Sequence, residues 1–348
     1  MNVINLRSDT QTLPTEEMLD AIRTAPLGDD IFDEDPTVHR LEDMAARMLG
    51  KEAAMLVISG QMGNLVSLLS HAKPGEEVLI DPDSHIFYYE SGGMAGLAGL
   101  MPMPVPSHNG TIDPDDVRAA IRQRNIHYPT PKLLCIENTH NRSGGRSMPL
   151  AVHRENCRVA HEHGLKVHLD GARIFNAAIR HGVSAAEFAA DSDSVMFCLS
   201  KGLSCPLGSI VAGSREFIEE ADRCRKRVGG GMRQAGIIAA CGIVALEKMV
   251  DRLADDHRNA QLLAQGLNLI PGLSVDMESV ETNMVYVDHS ATGLSTSEIL
   301  ARFKAAGVLA SGRPPSHFRL VTHRHYGEAD ITEAVLRIKA ACTDAAAA

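Results

Sequence analysis

Between about residues 53 and 226, short runs of unbroken apolar residues alternate with longer stretches of helical character. The runs are "AAMLVISG", "EEVLID", "PKLLCIE", "LKVHLD", "SVMFCLS" and "GSIVAG". They do not alternate apolar with polar, so they read as strands covered on both faces, which is the signature of a parallel sheet wrapped by helices. The intervening stretches carry helix punctuation. In "DPTVHRLEDMAARMLG", Asp35 is placed as N-cap, Pro36 as the first helical residue and Gly50 as the stop, and Val38, Leu41, Ala45 and Leu49 fall on one face. "GNLVSLLSHAKPG", "DPDDVRAAIRQ", "AVHRENCRVAHEHG" and "SREFIEEADRCRKR" are read as further helices.

From about 232 to 265 the pattern is helical, followed by "TNMVYVD", a helix near 295–306, "FRLVTH" and a closing helix. With 348 residues the chain exceeds what one core usually organises. The expectation is a large α/β domain over 1–250, including the N-terminal segment, and a small α+β domain over 251–348. Trp is absent and aromatic residues are 4%, so the core must rest on Leu, Ile, Val, Met and Ala. The tail "TDAAAA" is expected to fray.

Net charge is −10 with histidine neutral, which argues against nucleic acid or an anionic membrane as partner. The cysteine count is odd, at seven, with no CxxC pair, and this reads as thiols in a reducing compartment. "MNVINLRSDT" has no signal-peptide pattern and no apolar run is long enough to span a bilayer, so a cytoplasmic location is expected.

Ligands of open α/β sheets bind beyond the carboxyl ends of the strands. Five strand ends are followed by "SGQMGN", "PDSH", "NTHN", "GAR" and "SKG", which gives Ser59, Gly60, His85, His140, Asp170, Arg173, Ser200 and Lys201 as candidates. "SGQMGN" opens a helix whose N–H groups can face an anion, yet it matches neither the GxGxxG nor the Walker fingerprint and alone reads as an ordinary turn. Lys201 alone fits a Schiff-base lysine and a surface lysine equally well. Asp170 closes a buried run, where a carboxylate needs a positive partner. Pyridoxal 5′-phosphate would unite these features. Its ring nitrogen takes a carboxylate, its aldehyde a lysine, its phosphate an anion cup and its ring a flat side chain. Asp170, Lys201, the Ser59–Gln61 turn and His85 supply the four.

One rival reading is a metallohydrolase built on His161, His163, His168 and Asp170, though i and i+2 histidines on a helix do not face one another. Another is a scaffold without catalysis, which gives no reason for a lysine at a strand end.

Taken together, "LRSDTQTLPTEEM", "GDDIFDEDPTVHRLE", "SGQMGN", "ENTHN", "HLDGARIFNA", "LSKGLSCPLGS", "RKRVGGGMRQAGIIAA", "TNMV" and "RLVTH" resemble the L-threonine aldolases, pyridoxal-phosphate enzymes of the aspartate-aminotransferase-like fold (fold type I). The resemblance runs from residue 6 to about 323. It implies a homodimer or homotetramer with shared active sites that cleaves L-threonine, L-allo-threonine and related β-hydroxy-L-amino acids to glycine and an aldehyde. A β-eliminating lyase, or an aldolase for a bulkier substrate such as phenylserine, is the nearest alternative. In this reading Lys201 joins the cofactor aldehyde, Asp170 meets the ring nitrogen and His85 stacks on the ring. Ser59, Gly60, Gln61, Arg173 and Ser200 line the cofactor, and Arg233 reaches the phosphate from a neighbouring subunit. Ser8, Arg173 and Arg319 take the substrate carboxylate, with Arg313 as a competitor for Arg319. His85 and His140 lie near the β-hydroxyl. No metal is implied. The chain departs from the pattern at Gln61, where relatives have Thr, and at Phe32-Asp33, where they often have Tyr-Gly.

Overall fold

The computed structural model describes residues 2–343. From Asp344 on, the tail expected to fray lies outside the described residues. Contacts divide the chain into two units. One comprises Leu13–Ser143 and Ser147–Val250, the other Met1–Thr12, Gly144–Arg146 and Asp251–Ala348.

The larger unit is built on one sheet. Its strands are β1 (Ala53–Val57), β2 (Glu77–Ile80), β3 (Met101–Pro104), β4 (Pro131–Glu137), β5 (Lys166–Asp170), β6 (Ser194–Cys198) and β7 (Ser209–Gly213). The spatial order is β1-β7-β6-β5-β4-β2-β3. Only β7 runs antiparallel, against both β1 and β6; the other pairings are parallel. The carboxyl ends of β1, β2, β4, β5 and β6 therefore share one edge. The interiors of β1, β2, β4, β5, β6 and β7 are buried, as continuous apolar runs require, whereas β3 at the edge is exposed to half-buried.

Helix α1 (Pro36–Leu49) starts where the sequence places it. Asp35 Oδ1 accepts from the backbone N–H groups of Thr37 and Val38, Gly50 closes the helix in the left-handed conformation, and Val38, Leu41, Ala45 and Leu49 are buried. Helix α2 (Gly60–His71) follows β1 and packs on β5, β6 and β7. Strand β3, "MPMP", escapes the sequence reading because two prolines argue against a strand. It lies at the sheet edge, where a missing N–H is tolerated.

The smaller unit holds an antiparallel sheet of Met284–Asp288, His317–Val321 and Ser311–Arg313, with helices Leu253–Asn268, Thr296–Ala305 and Glu328–Thr343. Leu263, Leu267, Phe303, Phe318 and Ile331 form its core together with Ile4 and Leu6. The N-terminal residues thus belong here, whereas the division at 250 placed them in the large domain. Ile4–Asn5 pairs in parallel with Val308–Leu309, and Leu6 completes the apolar cluster. A short apolar "INL" has no local partner, so its place is set by a strand three hundred residues away.

Among the described residues no helix is long and apolar enough to cross a membrane. All seven cysteines are free thiols, six of them buried.

Candidate active site

The loops at the carboxyl edge of the large sheet carry the ionisable groups. Ser59 caps α2, its Oγ accepting from the Met62 N–H at 3.2 Å, so the first turn of the helix faces the edge with Gly60 and Gln61 leading. Gly60 is required by packing. A Cβ there would lie 2.8 Å from Cys198 Sγ on β6. The Gln61 amide is turned aside, donating to the Glu90 carbonyl at 3.2 Å.

Asp170 ends β5 and is 2% exposed. Its oxygens accept from Asn64 Nδ2 at 2.9 Å and from the Ala172 N–H at 3.1 Å. Both donors are neutral amides, and no ion pair to Asp170 is found among the described residues. A buried carboxylate met only by dipoles is a strong acceptor for a cationic donor.

Two further carboxylates crowd this acid. Glu90 accepts from Asn64 Nδ2 at 2.7 Å and lies 2.9 Å from His85 Nδ1. Burial pushes its pKa up, and the hydrogen bonds from His85 and Asn64 only partly offset this. Glu137 ends β4 in register with Asp170 and accepts from the His85 and Asn141 N–H groups at 2.5 and 2.8 Å. Burial raises its pKa too, partly countered by His140. His85 opens a short helix after β2, with its ring 37% exposed and tilted against Tyr89. Burial disfavours its charged form, but the Glu90 hydrogen bond and the charges of Asp170, Glu90 and Glu137 outweigh that, so its pKa is raised. The ligating atoms of His85, Glu90 and Asp170 lie within 4.8 Å of one another, a set that can hold a cation or a protonated ring nitrogen.

Lys201 follows β6, the strand beside β5, in a turn closed by the Ser204 N–H on its carbonyl at 2.8 Å. Lys201 and Ser200 are half-buried, while Arg173, after β5, is buried. His140 lies three residues beyond the end of β4. Its ring is buried, with Nδ1 accepting from the Ser143 N–H at 3.2 Å and Nε2 facing Asp81 at 3.2 Å. Burial opposes its charged form, yet Glu137 and Asp81 raise its pKa. Arg233 lies at the surface and pairs with Asp29 at 3.0 Å.

Ser8 and Arg319 belong to the smaller unit. Ser8 Oγ accepts from the Thr10 N–H at 3.2 Å, and buried Arg319 donates to the Arg7 carbonyl at 3.1 Å. Arg313 donates to the Tyr286 hydroxyl at 3.2 Å. The histidines of the metal reading do not converge on Asp170. His161 pairs with Asp193, His163 bonds the Val159 carbonyl, and His168 lies between Ser194 and Asn64.

Sequence reasoning missed Asn64, Glu90, Glu137 and Asp81. Asn64 was in plain view as the last letter of "SGQMGN", and Glu137 and Asp81 each close or follow an apolar run. Glu90 gave no strand-end signal, since it lies in "FYYESGG" beyond a helical turn.

The family model for beta-eliminating lyases matches residues 5–290. The low-specificity L-threonine aldolase 1 of Arabidopsis thaliana is 41% identical over 95% of this chain and 94% of its own length. The low specificity L-threonine aldolase of Escherichia coli K12 is likewise 41% identical, over 95% of this chain and 97% of its own. Among solved structures, the threonine aldolase of Leishmania major superposes with a TM-score of 0.84 at 19% identity, covering 97% of this chain and 99% of that one. The aspartate aminotransferase of Rhizobium meliloti superposes at 0.70 and 17% identity, over 98% and 92%, so the fold is aspartate-aminotransferase-like. With a lysine and a cation-seeking carboxylate on adjacent strand ends, and relatives of such identity along nearly its whole length, this chain belongs to the beta-eliminating lyase family, among the low-specificity L-threonine aldolases.

Proposed function

We propose that the chain binds pyridoxal 5′-phosphate and cleaves β-hydroxy-L-amino acids, L-threonine and L-allo-threonine among them, to glycine and an aldehyde. The observation that carries the reading is Asp170, a buried carboxylate contacted only by neutral amides, one strand away from Lys201. Its donor set fits a protonated pyridine nitrogen, and Gly60, where a Cβ would strike Cys198, lets the first turn of α2 present N–H groups to a phosphate. When bound, pyridoxal phosphate withdraws electrons from a breaking bond at the substrate's Cα.

The chain supplies the rest. Lys201 would hold the aldehyde carbon. Asp170 would keep the ring nitrogen charged, with Ser59, Gly60, Gln61 and Ser200 around the cofactor and Arg173 on the substrate carboxylate. For Ser8 and Arg319 as carboxylate ligands, for Arg233 as a phosphate ligand from a second subunit, and for a homodimer or homotetramer, the support is resemblance alone. His85 is the best-placed base. With Nδ1–H donated to Glu90, Nε2 is bare and can take the proton of a β-hydroxyl. His140, enclosed by Asp81 and the Ser143 N–H, would orient the loop around Glu137. Because His85 must be neutral, its raised pKa makes activity fall as pH drops through that value.

The test is an absorbance spectrum of the purified protein with added pyridoxal phosphate, then aldehyde release from the four threonine stereoisomers and phenylserine. Borohydride should trap a cofactor adduct in the wild type and none in Lys201→Ala. Trapping at wild-type level in that variant, or no aldehyde from either L isomer, overturns the proposal.

A further inference from the structure

Behind Asp170 lies a line of polar groups that the proposed reaction does not use. Asn64 and His71 are seven residues apart on one stripe of α2, and His168 on β5 is in register with Ser194 on β6. His168 Nε2 lies 3.1 Å from Asn64 Oδ1, His168 Nδ1 lies 2.8 Å from Ser194 Oγ, and Ser194 Oγ lies 2.7 Å from His71 Nε2. His168 and Ser194 are wholly buried.

Donor and acceptor roles along this line are fixed from one end. The two carboxylates Asp170 and Glu90 can only accept from Asn64, so its NH₂ points at them and its Oδ1 points at His168. An amide oxygen only accepts, so His168 carries its proton on Nε2. Burial drives the His168 pKa down to about 3, so the ring is neutral and Nδ1 is bare. Ser194 must then donate to Nδ1 and accept from His71 Nε2–H. Burial likewise lowers the His71 pKa, to about 4. Every bond in the line therefore points the same way, towards the carboxylate. In a low-dielectric interior such donors polarise one another. His71 anchors the far end, its ring stacked on Phe217 at 4.6 Å where it lines a cleft with Lys166 and Asp193 at the opposite edge of the sheet.

We propose that His168, backed by Ser194 and His71, is a positioning residue for Asp170: the one-way chain locks the Asn64 amide so that it can only donate to the carboxylate, holding Asp170 as an oriented acceptor for the cofactor's ring nitrogen. The last part rests on the cofactor reading above; the direction of the chain does not. His168 touches neither substrate nor cofactor in this assignment and acts only through Asn64.

Two measurements test it. The first is ¹⁵N NMR of the imidazoles in wild-type protein, with and without pyridoxal phosphate. Neutral rings protonated at Nε2 are expected for both His168 and His71 in either state. A Nδ1–H tautomer or a charged ring at His168 overturns the proposal. The second compares the affinity of wild type, His168→Leu and His168→Gln for pyridoxal phosphate and for its deaza analogue, which has CH in place of the ring nitrogen. The leucine variant should lose roughly tenfold for pyridoxal phosphate and under about twofold for the analogue, since only the ring nitrogen senses Asp170. The glutamine variant, whose amide can both accept and donate, should recover most of the loss. Equal losses for the two ligands mean a merely structural role, and no loss for either means no role; both overturn the proposal. If His168→Leu does not fold, Ser194→Ala is measured instead, with the same preferential loss expected. Should wild type not bind pyridoxal phosphate at all, the functional reading fails, while the ring-proton measurement still decides the chain's direction.

Discussion

Two aspartates stand at opposite edges of the same sheet, and they are opposites in kind. Asp193, just before β6, accepts from Lys166 Nζ, His161 Nε2 and the Val167 N–H, each at 2.8 Å. Burial works against its charge, but these donors hold its pKa below the usual value. Asp170, at the end of β5, is more deeply buried, has only neutral amide donors, and faces Glu90 and Glu137 as well. One carboxylate finds its cations in the chain, so its role is structural. The other lies among carboxyl groups with the His85 ring as its nearby base, and has no charged donor bonded to it, so it is ready to take a cation from outside. Burial alone does not distinguish them; the origin of the counter-charge does.

The largest expected effect follows from that contrast. Asp170→Asn keeps the shape but removes the charge, and kcat should fall by about a thousandfold, on the order of the 3–5 kcal/mol that a lost buried charge partner implies. The melting temperature of the cofactor-less protein should not fall, because no ion pair within the chain is lost. Steady-state kinetics alongside calorimetry decides this. A variant that turns over normally, or one that unfolds with the cofactor absent, would erase the difference between the two aspartates.

Much of the contrast was legible in the sequence, and the reason for the remainder is physical. Asp170 announced itself because a charged residue closing "KVHL" breaks a continuous apolar run, and Lys201 did the same after "MFCLS". The caps of α1 were readable residue by residue because capping is local. Asn64 and Glu90 were not readable as partners. They meet Asp170 across 106 and 80 residues of chain, and nothing local marks an amide on a helix as facing a strand end. The "MPMP" edge strand and the pairing of Ile4–Asn5 with Val308–Leu309 were hidden for the same reason, since sheet neighbours, not local pattern, create them. His140 stood out as a polar residue after an apolar run, but nothing local marked Asp81, 59 residues away, as its neighbour.

A second effect uses pH to ask what fills the space between the two aspartates. Burial pushes the pKa of His71 and His153 to about 4 and that of His168 to about 3. Below the ordinary histidine value near 6.5, the unfolded chain takes up protons that these folded rings refuse, so stability is full above that value and drains as pH falls towards 4. Each ring contributes a loss of about 2 kcal/mol by pH 5. Glu42, whose pKa burial raises to about 7, works in the opposite sense: its stabilisation is full below its unfolded value and is lost as pH rises through 7, so acidification restores it and offsets roughly one histidine. Asp256, raised by burial to about 6, acts in the same sense as Glu42 and offsets roughly 1 kcal/mol more, so the net expectation from these groups is a loss of about 2 kcal/mol between pH 7.5 and pH 5, read by denaturant titration at both values. Stability that rises on acidification would mean the buried rings are charged partners of the aspartates and not neutral spacers.

A third effect belongs to Asp193 alone. Asp193→Asn should lower stability by about 1–2 kcal/mol, because charge-assisted bonds to Lys166, His161 and the Val167 N–H weaken together. The turnover number should stay within about twofold, since nothing at the carboxyl edge of the sheet changes. Loss of kcat without loss of stability would show that the far edge of the sheet is coupled to the site and would make the two aspartates one system.

The smallest effect separates the contributions within that cluster. Lys166 reaches Asp193 at 2.8 Å, but its side chain is 60% exposed, so water and salt screen the pair and holding the long side chain in place costs entropy. The Val167 N–H is different: it lies on a strand and meets Asp193 where solvent access is poor. In Asp193→Asn that donor keeps an amide oxygen but loses a charge-assisted bond in a poorly solvated place, which costs more than a surface ion pair. Lys166→Met keeps the stem of the side chain and removes only the charge. Its cost should be no more than about 0.5 kcal/mol in dilute buffer and should vanish near 1 M salt, whereas the cost of Asp193→Asn should persist there. If Lys166→Met instead matched Asp193→Asn in size at both salt concentrations, the lysine and not the backbone would be what holds Asp193, and the structural carboxylate would depend on a single cation as completely as Asp170 is proposed to depend on its cofactor.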